Sequence, residues 1–220
     1  MSKVTPGTAG VLLGKTGDVV ISRWRGILVG KRSPRASTKA PSESALEIRA
    51  RLAVVGSHIS NFSEAIAMGF KTDKGKKTAM NLAMSYHLRN AVTGQYPNYA
   101  LDYSKIVISD PVIKRTIDDG GEVTVIAEPQ GKIKVSWLTG DYGNPSSLPS
   151  DRPYAVFHDP SSGYSFIQGF KGSVRSTLTQ TYNISTRFAG NKIHGYLFFV
   201  SANGKLSSLT HYLPPITLLD

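Results

Sequence analysis

The chain has 220 residues, of which 40% are hydrophobic and 19% are charged, and this composition excludes an intrinsically disordered protein. It contains no cysteine, which excludes disulfides, thiolate catalysis, iron–sulfur clusters and cysteine-based zinc sites. The formal net charge is +11, so an acidic partner or a nucleic acid is the first class of binding partner to consider.

Most of the positive charge lies near the N-terminus. Residues 1–40 carry eight bases and one acid, a net charge of +7, whereas residues 91–220 carry a net charge of only +1. Such a segment is a docking element for nucleic acid, for an anionic surface or for an acidic protein, and the alternative is a solvated, solubilising segment. The residues predicted to contact a partner protein or nucleic acid are Lys15, Arg23, Trp24, Arg25, Lys31, Arg32, Arg35 and Lys39.

Residues 1–41 are predicted to form a basic β-hairpin arm and a linker. Three short β-prone runs, 11–13, 19–21 and 27–29, are separated by the glycine-containing segments 14–17 and 24–26, which suit tight turns. A hairpin or meander of this length cannot bury its own faces, so it should pack on another domain or another chain. The basic, Pro- and Ser-rich residues 32–41 follow as an extended linker.

Trp24, which stands between Arg23 and Arg25, has two interpretations. It could stack on a nucleic-acid base while its neighbours contact phosphate. Alternatively, Trp24 packs downward and both arginines lie on the opposite, solvated face of the strand, which strand alternation favours.

Residues 42–102 are predicted to be helical. Ile48, Leu52, Val55 and Ile59 recur at helical spacing and predict one apolar stripe, with Ser42 or Ser44 as the N-cap. A second short helix continues the stripe, and a third is expected from about residue 76 to residue 93, ended by Gly94 as its C-cap. The apolar positions of the second helix are Phe62, Ile66 and Phe70.

Residues 103–220 are predicted to form an immunoglobulin-like β-sandwich, which makes the whole fold α+β. About seven strands separated by turn signals are typical of such a sandwich, and Trp137 and Tyr196 resemble its core aromatic residues. The strand candidates are 105–109, 122–127, 132–138, 154–158, 173–184, 192–201 and 205–212.

The order of these features resembles an uncharacterised, domain-of-unknown-function family of Bacteroidota proteins. The resemblance covers essentially the whole chain, and it includes residues 81–109 and the C-terminal stretch 194–212. It departs at Ser42 and Ala45, where the family tends to show Thr-x-x-Gln. The resemblance implies an architecture, a β-hairpin arm, a helical middle and an Ig-like sandwich, and it implies no activity. The matching N-terminal positions are Gly14, Gly17, Val19, Val20, Trp24, Arg25, Gly26, Arg32 and Pro34.

The sequence carries no convincing enzymatic motif. The five histidines show no metal-type pair at i, i+4, and no Gly-x-Ser-x-Gly elbow is present. Gly10-x3-Gly14-Lys15-Thr16 resembles a phosphate loop, but its glycine spacing is one residue short and a strand pattern follows it. The acidic residues Asp110, Asp118, Asp119 and Glu122 are read as a solvated turn. We therefore expect no enzyme activity, no metal and no cofactor.

We expect a structural assembly protein, a subunit of a larger complex such as a phage-like virion, that docks on other protein subunits through its basic arm. One alternative is a nucleic-acid-binding protein that uses the arm and the basic turn 71–77. Another is a glycan- or ligand-binding sandwich that uses Tyr142, Tyr154 and Tyr164. No apolar run approaches the ~18 residues of a membrane span and no signal peptide is recognised, so the expected location is the cytoplasm or a virion.

Overall fold

The computed structural model describes residues 2–3 (backbone only), 13–24, 26–35, 38–70, 77–110, 117–138, 146–170 and 172–220. The chain divides into two compact units, Met1–Ser42 and Glu43–Asp220. Each unit has its own architecture, and the helices belong to the same unit as the C-terminal strands.

The N-terminal unit is an antiparallel sheet in the order β1-β4-β3-β2, formed by strands β1 (Ser2–Lys3), β2 (Gly14–Thr16), β3 (Val19–Trp24) and β4 (Ile27–Arg32). The predicted meander is therefore present, although the first expected turn is misplaced. Gly14–Thr16 pairs with β3 as a strand, and the turn is Gly17–Asp18, with Gly17 at φ +57°. Glycine takes this left-handed conformation without steric cost, which fixes where the hairpin reverses.

Within the described part of the second unit, three α-helices come first: α1 (Glu43–Ser60), α2 (Ser63–Gly69) and α3 (Ala79–Asn90). The predicted stripe of α1 is correct only in its C-terminal half. Val55 and Ile59 are buried, whereas Ile48 is 58% and Leu52 is 40% exposed. The first turns of α1 therefore extend beyond the core that the rest of the helix covers.

A hairpin that the sequence did not predict follows α3. Strands β5 (Val92–Gln95) and β6 (Asn98–Leu101) pair around a cis Tyr96–Pro97 bond. The expected C-cap role of Gly94 is wrong, because α3 ends at Asn90 and Gly94 lies in β5. Its φ of +87° and the close approach of the Asn98 carbonyl oxygen explain why glycine stands there.

The remaining described strands form two antiparallel sheets. One has the order β10-β9-β12-β13, from β9 (Arg152–His158), β10 (Ser165–Ile167), β12 (Lys192–Val200) and β13 (His211–Thr217). The other has the order β11-β8-β7, from β7 (Val123–Glu128), β8 (Lys132–Trp137) and β11 (Thr179–Asn183).

The sheet that contains β9 and β12 is buried on both faces. On one face, Tyr154, Tyr196 and Phe198 share a core with the three helices. On the other, Phe157 and Phe199 pack against the three-stranded sheet, and the ring of Phe199 lies 5.5 Å from that of Trp137. Two facing sheets flanked by helices confirm the α+β class, and Trp137 and Tyr196 belong to different cores.

Several strand boundaries differ from the prediction. Residues 105–109 form no strand, because Lys105 ends a 3₁₀ turn at Tyr103–Lys105 and residues 106–109 follow it, and Arg175–Thr177 is a 3₁₀ turn ahead of β11. The last strand is His211–Thr217 and not 205–212. It contains Pro214 and Pro215, which argue against a central strand but are tolerated here because β13 lies at the edge of its sheet.

Candidate functional site

Seven residues of strands β2, β3 and β4 lie on one face of the N-terminal sheet, which we call the Trp24 face. Strand register aligns Lys15, Val20 and Lys31 in one row across β2, β3 and β4. Ser22 pairs with Val29 and Trp24 with Ile27 in the next rows. Since cross-strand partners point to the same side of a sheet, the face carries apolar residues with two lysines at one end. Its members are Lys15, Val20, Ser22, Trp24, Ile27, Val29 and Lys31.

The Trp24 face is exposed. Trp24 has 48% and Ile27 has 41% of its surface accessible. A concavity of about 330 Å³ on this face is lined by Ser22, Trp24, Val29 and Lys31. The expectation that Trp24 packs downward is therefore wrong, because nearly half of its surface remains accessible.

The opposite face of the same sheet carries Arg23 beside Leu28 and Arg32 beside Val19. The expectation that Arg23 lies opposite Trp24 is confirmed by this register, and Arg25 lies outside the described residues. Four of the predicted basic residues are thus divided between the two faces, with Lys15 and Lys31 on the Trp24 side and Arg23 and Arg32 on the other.

Asp18 is the acid closest to this basic surface. Its carboxylate lies 3.7 Å from Arg32 and 3.8 Å from Arg35, and all three side chains are exposed. Exposed ion pairs contribute little, typically under about 1 kcal/mol. Lys39 is exposed in the segment that follows, while Lys15 and Lys31 form no ion pair with another described residue.

The second unit contains a cluster of aromatic and histidine side chains that sequence spacing could not reveal. His58 comes from α1, while His158 and His194 are direct cross-strand partners on β9 and β12. The ring of Tyr103 lies 5.5 Å from His58, 5.4 Å from His158 and 4.8 Å from His194, measured between ring centroids. These residues are far apart in the sequence, so the fold alone brings them together.

Next to this cluster is a cleft of about 430 Å³, which we call the histidine cleft. It lies between the C-terminal half of α1, the end of β6 and the turn after β9. The residues that matter for its chemistry are Ser57, His58, Asn61, Tyr103, His158 and Pro160.

Burial keeps these histidines neutral at pH 7. Burial, with a smaller contribution from the nearby His158, lowers the pKa of His58 to about 3. Burial likewise lowers the pKa of His158 to about 4, and it lowers the pKa of His194. Hydrogen bonds orient two of the rings, because His158 Nδ1 lies 2.9 Å from Ser165 Oγ and His194 Nδ1 lies 2.8 Å from the Tyr212 hydroxyl.

Other polar residues have structural roles. Asp159 organises the turn after β9: although burial raises the pKa of its carboxyl, hydrogen bonds from Ser161, Ser162 and Asn191 lower it to about 2. His87 Nδ1 lies 2.7 Å from the Ala83 carbonyl oxygen, and its Nε2 accepts from the Val107 amide. Among the described residues, no group of three His, Asp or Glu side chains is arranged to hold a metal ion.

The tyrosines predicted for glycan binding are not brought together. Tyr154 is 1% exposed and lies in the helix-facing core, so its selection was wrong. Tyr164 is 54% exposed and packs on Phe188, while Tyr142 and the basic segment 71–76 lie outside the described residues. Also among the described residues, no helix is long and apolar enough to cross a membrane.

Comparison with known proteins identifies the family. No curated protein matches this sequence. One family model matches residues 10–214, which include both the Trp24 face and the histidine cleft. The chain therefore belongs to DUF6266, a family of unknown function.

Proposed function

We propose that this protein is a non-enzymatic assembly subunit that docks on another copy of itself through the Trp24 face. The observation that carries this proposal is the 48% exposure of Trp24, beside Ile27, in a small unit of its own. A large exposed apolar side chain with apolar neighbours is typical of a protein contact surface.

Little apolar surface is buried within the described part of the N-terminal unit. Among its described residues, Leu28 is the one hydrophobic side chain that is buried. A sheet that buries so little apolar surface is marginal in water, since burial is the main term that offsets the ordering entropy. A partner that covers the Trp24 face would supply the missing burial.

The N-terminal half of α1 is the complementary surface that we infer on the second copy. Its Ile48 and Leu52 are exposed although they continue the stripe of the buried Val55 and Ile59. Glu43 and Glu47 precede them and the exposed Arg49 lies between them, so this apolar surface is bordered by charges of both signs. The two surfaces therefore match in hydrophobicity. A contact between two different surfaces of one chain builds rings or filaments.

Sedimentation velocity of the full chain over a range of protein concentrations tests this proposal. We expect concentration-dependent oligomers, and we expect both Trp24→Ser and Ile48→Ser to weaken association about tenfold or more. Ile126→Ser is the matched control, because Ile126 is also 58% exposed but lies in β7, outside both proposed contact surfaces. The double variant should lose less than the sum of the two single losses, because both remove one contact.

A monomer at every concentration contradicts the proposal. Association that is weakened equally by Ile126→Ser also contradicts it, because a specific contact should depend on Trp24 and Ile48 and not on Ile126. Circular dichroism of each variant checks that the fold is retained.

Nucleic-acid binding is the second candidate, supported by the position of Lys15 and Lys31 on the same face as the exposed Trp24. Stacking of bases on an aromatic ring beside cations is the usual mode for single strands. A single-stranded DNA probe should then bind with a steep loss of affinity on adding salt. Trp24→Ser would weaken this binding and Ile48→Ser would not, so Ile48 separates the two candidates.

We also propose an immunoglobulin-like topology for the two facing sheets, a cytoplasmic or virion location, and a Bacteroidota origin for the family. The spacing of the strand candidates supports the topology, and the matching positions Trp24, Arg25 and Gly26 support the family origin.

A further inference from the structure

The wall of the histidine cleft is mixed, with apolar side chains such as Val54 and Leu101 beside polar side chains that carry no charge. Ser57, Asn61 and Tyr103 contribute side chains to it, and of the described residues no Lys, Arg, Asp or Glu lines it. The imidazoles of His58 and His158 are neutral at pH 7. A phosphate, carboxylate or ammonium would lose its hydration here without gaining an opposite charge, so the cleft favours a neutral ligand.

Tyr103 gives the cleft a flat aromatic surface. Its ring is half-buried and is held by three histidine rings at centroid distances of 5.5, 5.4 and 4.8 Å. An aromatic ring fixed in this way offers stacking contact without losing much side-chain entropy on binding.

Several polar groups at the cleft have unmade hydrogen bonds. His58 is 7% exposed, and its Nε2 is buried without a hydrogen-bond partner among the described residues. The side chains of Asn61 and Tyr103 likewise make no hydrogen bond to a described residue. A purely apolar ligand would bury the Asn61 and Tyr103 side chains unsatisfied, at a cost of roughly 1–3 kcal/mol each, whereas hydroxyl groups can both donate to them and accept from them.

We propose that the histidine cleft binds a neutral saccharide, with one sugar ring stacked on Tyr103 and sugar hydroxyls hydrogen-bonded by the exposed side chains of Asn61 and Ser57. The cleft volume of about 430 Å³ suits a small ligand. The histidine cleft and the Trp24 face share no residue, so this proposal does not depend on whether the chain self-associates through that face.

Nuclear magnetic resonance of the histidine ring C–H groups in the full chain tests the proposal. The probes are maltose, cellobiose and N,N′-diacetylchitobiose, with glucuronate as the charged comparison. We expect saturable shifts of the His58 and His158 signals with at least one neutral disaccharide and none with glucuronate. Tyr103→Ala should weaken binding about tenfold or more. Asn61→Ala, at an exposed position that leaves the core intact, should also weaken it.

Tyr164→Ala is the matched control, because Tyr164 is an exposed tyrosine that does not line the cleft. It should bind the sugar like the unmodified chain. The absence of saturable shifts with all three disaccharides overturns the proposal. Equal binding of glucuronate, or unchanged binding by Asn61→Ala and Tyr103→Ala together, overturns it as well.

Discussion

Arg175 and Asp151 form an ion pair with both side chains fully buried, and Nε of Arg175 lies 3.5 Å from Oδ2 of Asp151. The guanidinium also lies 4.1 Å from the centroid of the Phe199 ring. The Arg175 carbonyl oxygen accepts a hydrogen bond of 2.8 Å from Trp137 Nε1, so this arginine joins both sheets of the second unit. A charged pair in this position makes the interior sensitive to the loss of either partner.

Asp151→Ala should destabilise the second unit strongly, because it leaves the Arg175 guanidinium buried without its carboxylate. The expected loss is about 3–5 kcal/mol, which lowers the melting temperature by on the order of 10 °C. Differential scanning calorimetry measures it. Asp18→Ala, which removes the exposed pairs with Arg32 and Arg35, is the control and should cost under about 0.5 kcal/mol. Equal losses in the two variants would contradict the structural role of Arg175.

Two isoleucines on the stripe of α1 should respond very differently to truncation. Ile59 is 1% exposed, and Ile59→Ala should cost about 2–5 kcal/mol of unfolding free energy. Ile48 is 58% exposed, and Ile48→Ala should stay within about 0.5 kcal/mol in the monomer. Urea unfolding at low protein concentration measures both changes. Similar losses at the two positions would show that the whole stripe is covered in solution.

This helix illustrates how far periodicity can predict the fold. Helical spacing identified the stripe from Ile48 to Ile59 and the buried Phe62, Ile66 and Phe70, because one side of a helix has to meet the core. Spacing carries no information on where the core ends, so the exposure of Ile48 and Leu52 could not be predicted. The same limit applies to Trp24, for which alternation predicted its side of the strand but not its exposure.

The histidine cleft could not be predicted for another reason. His58, His158 and His194 lie on three elements, and only the pairing of β9 with β12 brings the last two into register. Tertiary context also decides the bounds of β13, which continues through two prolines to Thr217 although the strand candidate ended at residue 212. An edge position tolerates these prolines, but edge positions follow from the sheet order and not from the local sequence.

Gly94→Ala should destabilise the β5–β6 hairpin by more than the cost of its backbone strain alone, because a steric overlap adds to that cost. The left-handed φ of +87° costs an alanine about 1–2 kcal/mol, and its Cβ would also overlap the Asn98 carbonyl oxygen. Gly204→Ala is the matched control, because Gly204 has φ +69° but open space around it. Thermal unfolding should show the larger loss for Gly94→Ala, and a loss no larger than that of the control would contradict the close approach.

The buried histidines should make the second unit less stable as the pH falls. In the unfolded chain they bind protons near their ordinary pKa of 6.5, whereas in the folded chain the pKa is about 3 for His58 and about 4 for His158. The contribution of these histidines to the free energy of unfolding is therefore fully present above pH 6.5. It is lost as the pH falls from 6.5 toward 4, by up to about 1.4 kcal/mol per pH unit for each histidine. Chemical unfolding at a series of pH values measures this slope. His58→Phe keeps an aromatic ring and removes one titrating group, so its slope should be shallower, while Asn61→Ala beside it should leave the slope unchanged. A slope that His58→Phe does not reduce would mean that His58 is not held neutral by burial.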